Sequence, residues 1–389
     1  MIRGMDPVSR RAFVESLGVT AAAGWMRPPL HGFSGGAPAL SPDRVVRLTG
    51  DGLGLAPRAY ASLLADIAQR VEIVEDDYLL GGEIERFEHR WAELLGKERA
   101  VFMPSGTLAN QLALRALAGQ RRRVIVPETS HIYNDTGDAS QTLSGLTLIP
   151  LGPGNAAFTC AEVEAVLTRT SSGRVQTEVG AIAVESPVRR LKGQLFDWEE
   201  MRRLSAFARG RGIGLHLDGA RLFIASAYTG VSPAQYAALF DTVYVSLWKY
   251  FNSGIGAILA GPRSLLDGMF HVRRMFGGNL AVGWPAALVA THYMDGFLDR
   301  LRAAVRVSED FYAAIGHHAS FSVERVPSGT NLAQVTVKTS DRDAFARRLE
   351  ERGVLLPEGG TGPFTLAVNE TWTRTSAAEL TQAFEQSAI

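Results

Sequence analysis

From about Val45 onward, short apolar runs alternate with stretches of helical period. The runs Ala100–Met103, Arg123–Pro127, Leu146–Leu151, Val179–Val184, Ile213–Leu217, Thr242–Ser246 and Gly256–Ala260 are bounded by turn residues. Runs of this kind predict strands buried on both faces. Between them, Pro57–Val71, Glu83–Leu95 (ended by Gly96), Gly106–Leu117 (closed by Gly119) and Trp198–Arg209 carry the spacing of amphipathic helices. Strands alternating with helices predict an α/β fold: a mostly parallel sheet of the seven-stranded type, sandwiched by helices. Helical spacing continues from Leu265 to about Ile315, where Gly316 supplies a stop. Beyond Phe321, strands (Leu332–Val337, Phe364–Val368) mix with helices (Arg342–Arg352, Ser376–Gln386), which predicts a smaller C-terminal α+β domain. The expected organisation is an N-terminal segment over 1–43, a large domain with an N-terminal arm over 44–296, and a small domain over 297–389.

Charge and composition narrow the function classes. Lys plus Arg and Asp plus Glu both number 40 in 389 residues, so the formal net charge is zero. That balance lacks the basic footprint of a nucleic-acid binder. No apolar run reaches the ~20 residues of a membrane-spanning helix. The single cysteine, Cys160, rules out an internal disulfide and a multi-cysteine metal site, and no metal is expected. A globular enzyme or small-molecule binder remains.

The first forty residues read as an address. Ser9-Arg10-Arg11-Ala12-Phe13-Val14 resembles a twin-arginine export signal, the weakly apolar stretch Leu17–Trp25 follows, and Ala37-Pro38-Ala39 is a small-x-small cleavage candidate. Periplasmic export is the expectation and a cytoplasmic location the alternative. Glu15 is out of place in such a signal.

In sheets of this kind, ligands sit beyond the carboxyl ends of the strands. The unusual residues lie there. Ser105-Gly106-Thr107 joins a strand to a helix, where free backbone N–H groups and hydroxyls suit an anion, though the same tripeptide is also an ordinary helix cap. Asp218 ends a buried strand, and its carboxylate is either a cap or a site group. Lys249 follows another strand, as a rim charge or a carbonyl-capturing amine. His131 is a loop histidine or a flat stacking partner. Taken together, a phosphate cradle, an imidazole, a carboxylate and a Schiff-base lysine match the needs of pyridoxal phosphate.

Here the resemblance becomes specific. Phe102-Met103-Pro104-Ser105-Gly106-Thr107-Leu108-Ala109-Asn110-Gln111 nearly spells a phosphate-loop signature, and His216-Leu217-Asp218-Gly219-Ala220-Arg221 spells an aspartate motif. Lys249 falls 31 residues after Asp218, and His131 falls 24 after Thr107. From about Asp77 to Gly296 the chain resembles the threonine aldolase and β-eliminating lyase family, on the aspartate-aminotransferase-like fold. The resemblance implies that Ser105, Gly106 and Thr107 hold the phosphate of pyridoxal 5'-phosphate, with Ser246 a further candidate. It implies that His131 stacks on the ring, Asp218 pairs with the pyridine nitrogen, Arg221 lies near the substrate carboxylate, and Lys249 forms the Schiff base. It also implies an amino-acid substrate and a homodimer or homotetramer.

Four departures from the family stand out, and they leave the cofactor half largely intact and the substrate half rebuilt. Val188 replaces a histidine in Glu185-Ser186-Pro187-Val188-Arg189-Arg190. Thr365 stands near an expected C-terminal arginine. Asn279-Leu280-Ala281-Val282 carries no arginine, and the arm Leu48-Thr49-Gly50-Asp51-Gly52 lacks the expected serine. Arg189, Arg190 and Lys192 are candidate replacement cations, or a solvated basic loop. Aldol cleavage of a β-hydroxy-α-amino acid to glycine and an aldehyde is the leading expectation, with slow turnover of threonine and a bulkier β-substituent packed on Val188 and Trp248. β-Elimination, racemisation and transamination stay open. So do a Ser-x-x-Lys hydrolase built on Ser246 and Lys249, with Lys338-Thr339-Ser340 as its second motif, and a silent cofactor binder.

Overall fold

Strands and helices alternate through the computed structural model, which describes residues 44–388. Arg10–Arg11, Leu17–Trp25 and Ala37–Ala39 lie outside the described residues. The strands are β1 (Val46–Arg47), β2 (Arg99–Met103), β3 (Arg123–Pro127), β4 (Thr147–Leu151), β5 (Val179–Glu185) and β6 (Gly214–Asp218). They continue with β7 (Thr242–Ser246), β8 (Ala257–Gly261), β9 (Phe321–Glu324), β10 (Leu332–Val337), β11 (Val354–Leu355) and β12 (Phe364–Ala367).

Seven of them form the main sheet in the order β2-β8-β7-β6-β5-β3-β4. Only β8 runs against its neighbours, and the β3–β4, β3–β5, β5–β6 and β6–β7 pairs are parallel. Burial on both faces explains the near-continuous apolar runs: every residue of β5, β7 and β8 is buried. Since β2 and β7 both oppose β8, the carboxyl ends of β2, β3, β5, β6 and β7 share one edge. Met103, Pro127, Glu185, Asp218 and Ser246 stand there.

The helices follow the apolar stripe and its stops. Gly82–Leu95 buries Ile84, Phe87, Trp91 and Leu95 and ends at Gly96, whose φ of 61° is the left-handed conformation that glycine adopts without strain. The helical stretch expected from Leu265 to Ile315 is broken into Arg263–Leu266, Met269–Met275, Trp284–Met294 and Phe297–Gly316. Cys160–Ser171 is a helix that periodicity did not announce. It buries only Val163, Val166 and Thr170, and a reciprocal Thr159–Glu162 capping box fixes its start.

Two cores result. The larger holds Trp91, Phe223, Phe251 and Phe297 in edge-to-face contact beneath the main sheet. The second gathers Phe311, Phe345, Trp372 and Phe384 around the antiparallel sheet β12-β10-β9. Val46 and Leu48 of the arm belong to this second core, because β1 pairs with β11 across more than 300 residues of chain. Helix Phe297–Gly316 serves both cores, through Phe297 and Leu301 at one end and Phe311 and Ile315 at the other. The arm is thereby anchored so that residues 49–54 cross toward the strand ends of the main sheet.

Candidate active site

After β2 the chain turns into helix Gly106–Ala118. Ser105 caps it, accepting a hydrogen bond from Leu108 N at 3.3 Å. The preceding N–H groups of the first turn have no intrahelical partner. A Cβ added to Gly106 would lie 1.9 Å from the Tyr244 hydroxyl, so only glycine allows this turn to rest on β7. Tyr244 itself is buried, which raises its hydroxyl pKa. Ser246, at the end of the same strand, is fully buried, and its Oγ closes no hydrogen bond of good geometry. The open N–H groups at the start of this helix suit a phosphate.

One polar chain runs beneath this cradle. Thr242 Oγ1 meets His216 Nδ1 at 2.9 Å, His216 Nε2 meets Asn110 Oδ1 at 2.9 Å, and Asn110 Nδ2 donates to Asp218 Oδ2 at 2.7 Å. Burial drops His216 to about 4, so the ring is neutral. Because Asn110 offers its carbonyl to Nε2, that nitrogen carries the proton, and Nδ1 accepts from Thr242. Every donor in the series therefore points toward Asp218. The second Asp218 oxygen accepts from Ala220 N at 3.2 Å. A fully satisfied buried series of this kind holds a carboxylate in one orientation, which suits pairing with a protonated ring nitrogen.

Glu185 ties two loops together at the same edge. Its Oε2 accepts from His131 N at 2.6 Å and its Oε1 from Arg189 N at 3.2 Å. Burial, with Asp218 nearby, raises its carboxyl to about 7. His131 opens the short helix His131–Asn134, capped by Ser130. Its side chain is 41% exposed, with Nδ1 3.4 Å from Asp135, and it makes no hydrogen bond through Nε2 among the described residues.

Lys249 sits in the turn after β7. Burial and then the Arg221 charge bring its amine down to about 8. The arm packs directly on this turn: Leu53 N donates to Asn252 Oδ1 at 2.8 Å, and a Cβ on Gly52 would lie 2.7 Å from Lys249 O. Trp248 is 46% exposed, and the Lys249 ammonium lies 5.9 Å from its ring centre.

Arg221 is buried and donates its Nε to Asp51 Oδ2 at 2.8 Å, while Asn331 Nδ2 donates to Asp51 Oδ1 at 3.1 Å. Burial alone would raise the Asp51 carboxyl, but Arg221, then Arg189, then the Asn331 hydrogen bond hold it below its usual value. Sequence reasoning missed Asp51 and Asn331 because this cluster joins an arm, a strand-end loop and the second sheet. Asn110 stood inside the phosphate-loop block, yet its partners lie 106 and 108 residues away.

The structure thus brings Ser105, Gly106, Thr107, His131, Asp218, Arg221, Ser246 and Lys249 to one sheet edge or the turns leaving it. Two expectations change. Val188 is fully buried, its N–H bonded to Gln194 O at 2.8 Å, so it offers a substrate no surface to pack on. Ser246 is equally inaccessible, which removes it as a hydrolase nucleophile. Thr339, of the second hydrolase motif, accepts from Asp341 N just ahead of helix Arg342–Glu351. Thr365 faces Gln334 across β12 and β10. Among the described residues no group of three or more His, Cys, Asp or Glu side chains is placed to hold a metal ion, and no helix is long and apolar enough to cross a membrane.

Residues 65–344 match the model of the beta-eliminating lyase family. The chain is 30% identical over 273 residues to a low-specificity L-threonine aldolase of Candida albicans, covering 69% of this chain and 71% of that one. Among solved structures it is similar to a Listeria monocytogenes protein assigned as an L-allo-threonine aldolase (TM-score 0.72, 29% identity, 87% of this chain and 94% of that one). It is also similar to an Exiguobacterium protein assigned as an aromatic amino acid beta-eliminating lyase/threonine aldolase (TM-score 0.75, 25% identity, 89% and 97%).

Proposed function

Because the chain belongs to the beta-eliminating lyase family, we propose that it is a pyridoxal-phosphate-dependent carbon–carbon lyase. It cleaves a β-hydroxy-α-amino acid to glycine and an aldehyde. The observation that carries this reading is the meeting of Lys249, at about 8, with an Asp218 carboxylate aimed by the Asn110–His216–Thr242 series. When bound, the cofactor supplies an aldehyde for the substrate amine and a conjugated ring that accepts the electron pair released at Cα.

The chain's own residues do the rest. Ser105, Gly106 and Thr107 hold the phosphate at the helix start. Asp218 keeps the ring nitrogen protonated. His131 would lie against the cofactor ring. Lys249 Nζ would hold the cofactor through its aldehyde carbon. Being partly neutral near pH 8, it also accepts and returns protons at the substrate. Val188 supplies no base for the β-hydroxyl proton, so that task falls to the free Nε2 of His131. Exposed Trp248 favours a bulky β-substituent by stacking. A homodimer or homotetramer fits the exposed Tyr78, Leu80, Met275 and Val282.

The test is a product assay on purified holoenzyme with threonine and with a β-aryl-β-hydroxy-α-amino acid. Equal amounts of aldehyde and glycine are expected, with the aryl substrate faster. Lys249→Ala should cut turnover by about 10²-fold or more, the usual worth of a positioned acid–base group. Ammonia and a 2-oxo acid without aldehyde would replace aldol cleavage by β-elimination.

A further inference from the structure

The proposed substrate carries an α-carboxylate, and three cations in one loop compete to receive it. Arg190 is exposed and bound to Asp135, with Nε 3.1 Å from Oδ2. Lys192 Nζ donates to Gln334 Oε1 on the second sheet. Arg189 differs from both. Its Nη1 is buried and has no hydrogen-bond partner. The guanidinium lies within electrostatic reach of Asp51 and Arg221, and burial, then the Arg221 charge, lowers its pKa. A buried cationic donor without a partner costs stability and is kept where a ligand satisfies it.

The backbone of the loop that carries Arg189 is held at several points. Glu185 fixes Arg189 N, Val188 N bonds Gln194 O, and Thr330 Oγ1 bonds Gly193 O at 2.8 Å. Arg221 is held by Asp51 through Nε and makes no other hydrogen bond among the described residues, leaving its two terminal nitrogens. The charges of Arg189, Arg221 and Asp51 leave one positive charge over, the complement of a single carboxylate.

We propose that Arg189 joins Arg221, which the family resemblance already places near the substrate α-carboxylate, in binding that group, with Asp51 as the positioning residue for Arg221. The assignment rests on the lyase reading above and deepens it. It makes the free carboxylate a requirement, so α-amino amides and decarboxylated amines are poor ligands. Arg189, fixed from the β5 loop, takes a place that Thr365 on β12 cannot fill.

The experiment titrates holoenzyme with glycine and with glycinamide and follows the visible absorbance of the bound cofactor, so no turnover is needed. Wild type should prefer glycine. Arg189→Gln should weaken glycine by about 10- to 100-fold, the loss expected for a charge-assisted hydrogen bond, and leave glycinamide nearly unchanged. Arg189→Lys should recover part of the loss, and Arg190→Gln should match wild type. An unchanged glycine constant in Arg189→Gln, or an equal loss for both ligands, overturns the proposal. Wild type without cofactor absorbance would instead overturn the lyase reading on which it rests.

Discussion

The two halves of the candidate site are built in opposite ways. The cofactor half is a series of polar side chains buried along neighbouring strands and ending at Asp218. The Thr242, His216 and Asp218 side chains come from β6 and β7, and Asn110 comes from the helix lying on them. The substrate half joins Asp51 of the arm, Arg221 after β6, Arg189 after β5 and Asn331 just before β10. In the first, Thr242, His216 and Asp218 are placed by a strand register that a hydrophobic core enforces, and Asn110 by the helix packed on it. In the second, Arg189 and Arg221 stand in loops leaving the main sheet, while Asp51 and Asn331 come from segments packed on the second core. Polar series buried within a sheet rigidify, whereas clusters assembled from separate segments can exchange members without disturbing the fold. Substrate choice can therefore diverge while cofactor chemistry is retained, and in this chain the departure at Val188 falls in the loop after β5.

If this contrast is right, cofactor-half substitutions should cost both stability and cofactor affinity. Asn110→Ala is expected to have the largest effect. It strands the His216 Nε2–H and removes a donor from Asp218, both fully buried, at about 1–3 kcal/mol for each unsatisfied group. Denaturant unfolding and cofactor titration should both register the loss. Undiminished stability would mean that water fills the gap and that the series is not rigid.

Gly106→Ala tests the cradle. The added methyl would fall 1.9 Å from the Tyr244 hydroxyl, so either the turn or β7 must shift. Overpacking of this kind costs about 1–3 kcal/mol, and phosphate should lose affinity because its N–H donors move. Binding of inorganic phosphate, measured by calorimetry on cofactor-free protein, reads this separately from catalysis. Wild-type phosphate affinity in the variant would remove the turn from the cradle.

The same contrast explains what the sequence disclosed. Strand ends announce themselves, because a buried run must stop before Asp218 or Lys249 can appear, and a glycine before a helix marks the turn. The sheet and its polar edge were legible for that reason. Asp51 and Asn331 were not, since 280 residues separate them and neither stands in a local pattern. Arg189 was legible only as one of three cations in a loop. Choosing among them needed the partners Asp135 and Gln334, which lie in other segments. Helix Cys160–Ser171 escaped because its apolar stripe is thin.

The smallest effect is expected at Glu185, which belongs to both halves. Burial, with Asp218 beside it, raises its carboxyl to about 7, from an ordinary value of 4.5. A group raised in the folded state binds its proton more tightly there than when unfolded. Its favourable contribution is therefore complete below about 4.5 and is lost as pH rises through about 7. Glu185→Gln mimics the protonated form and keeps an acceptor oxygen for His131 N or Arg189 N. The variant should flatten the stability-versus-pH curve between about 4.5 and 7, and should gain relative to wild type at pH 8. Urea unfolding of cofactor-free protein at pH 5, 6, 7 and 8 measures this without involving Lys249 chemistry. Parallel wild-type and variant curves would show that Glu185 stays ionised across the range. Its two backbone hydrogen bonds would then outweigh its burial, and it would act only as a rigid clip between the His131 and Arg189 loops.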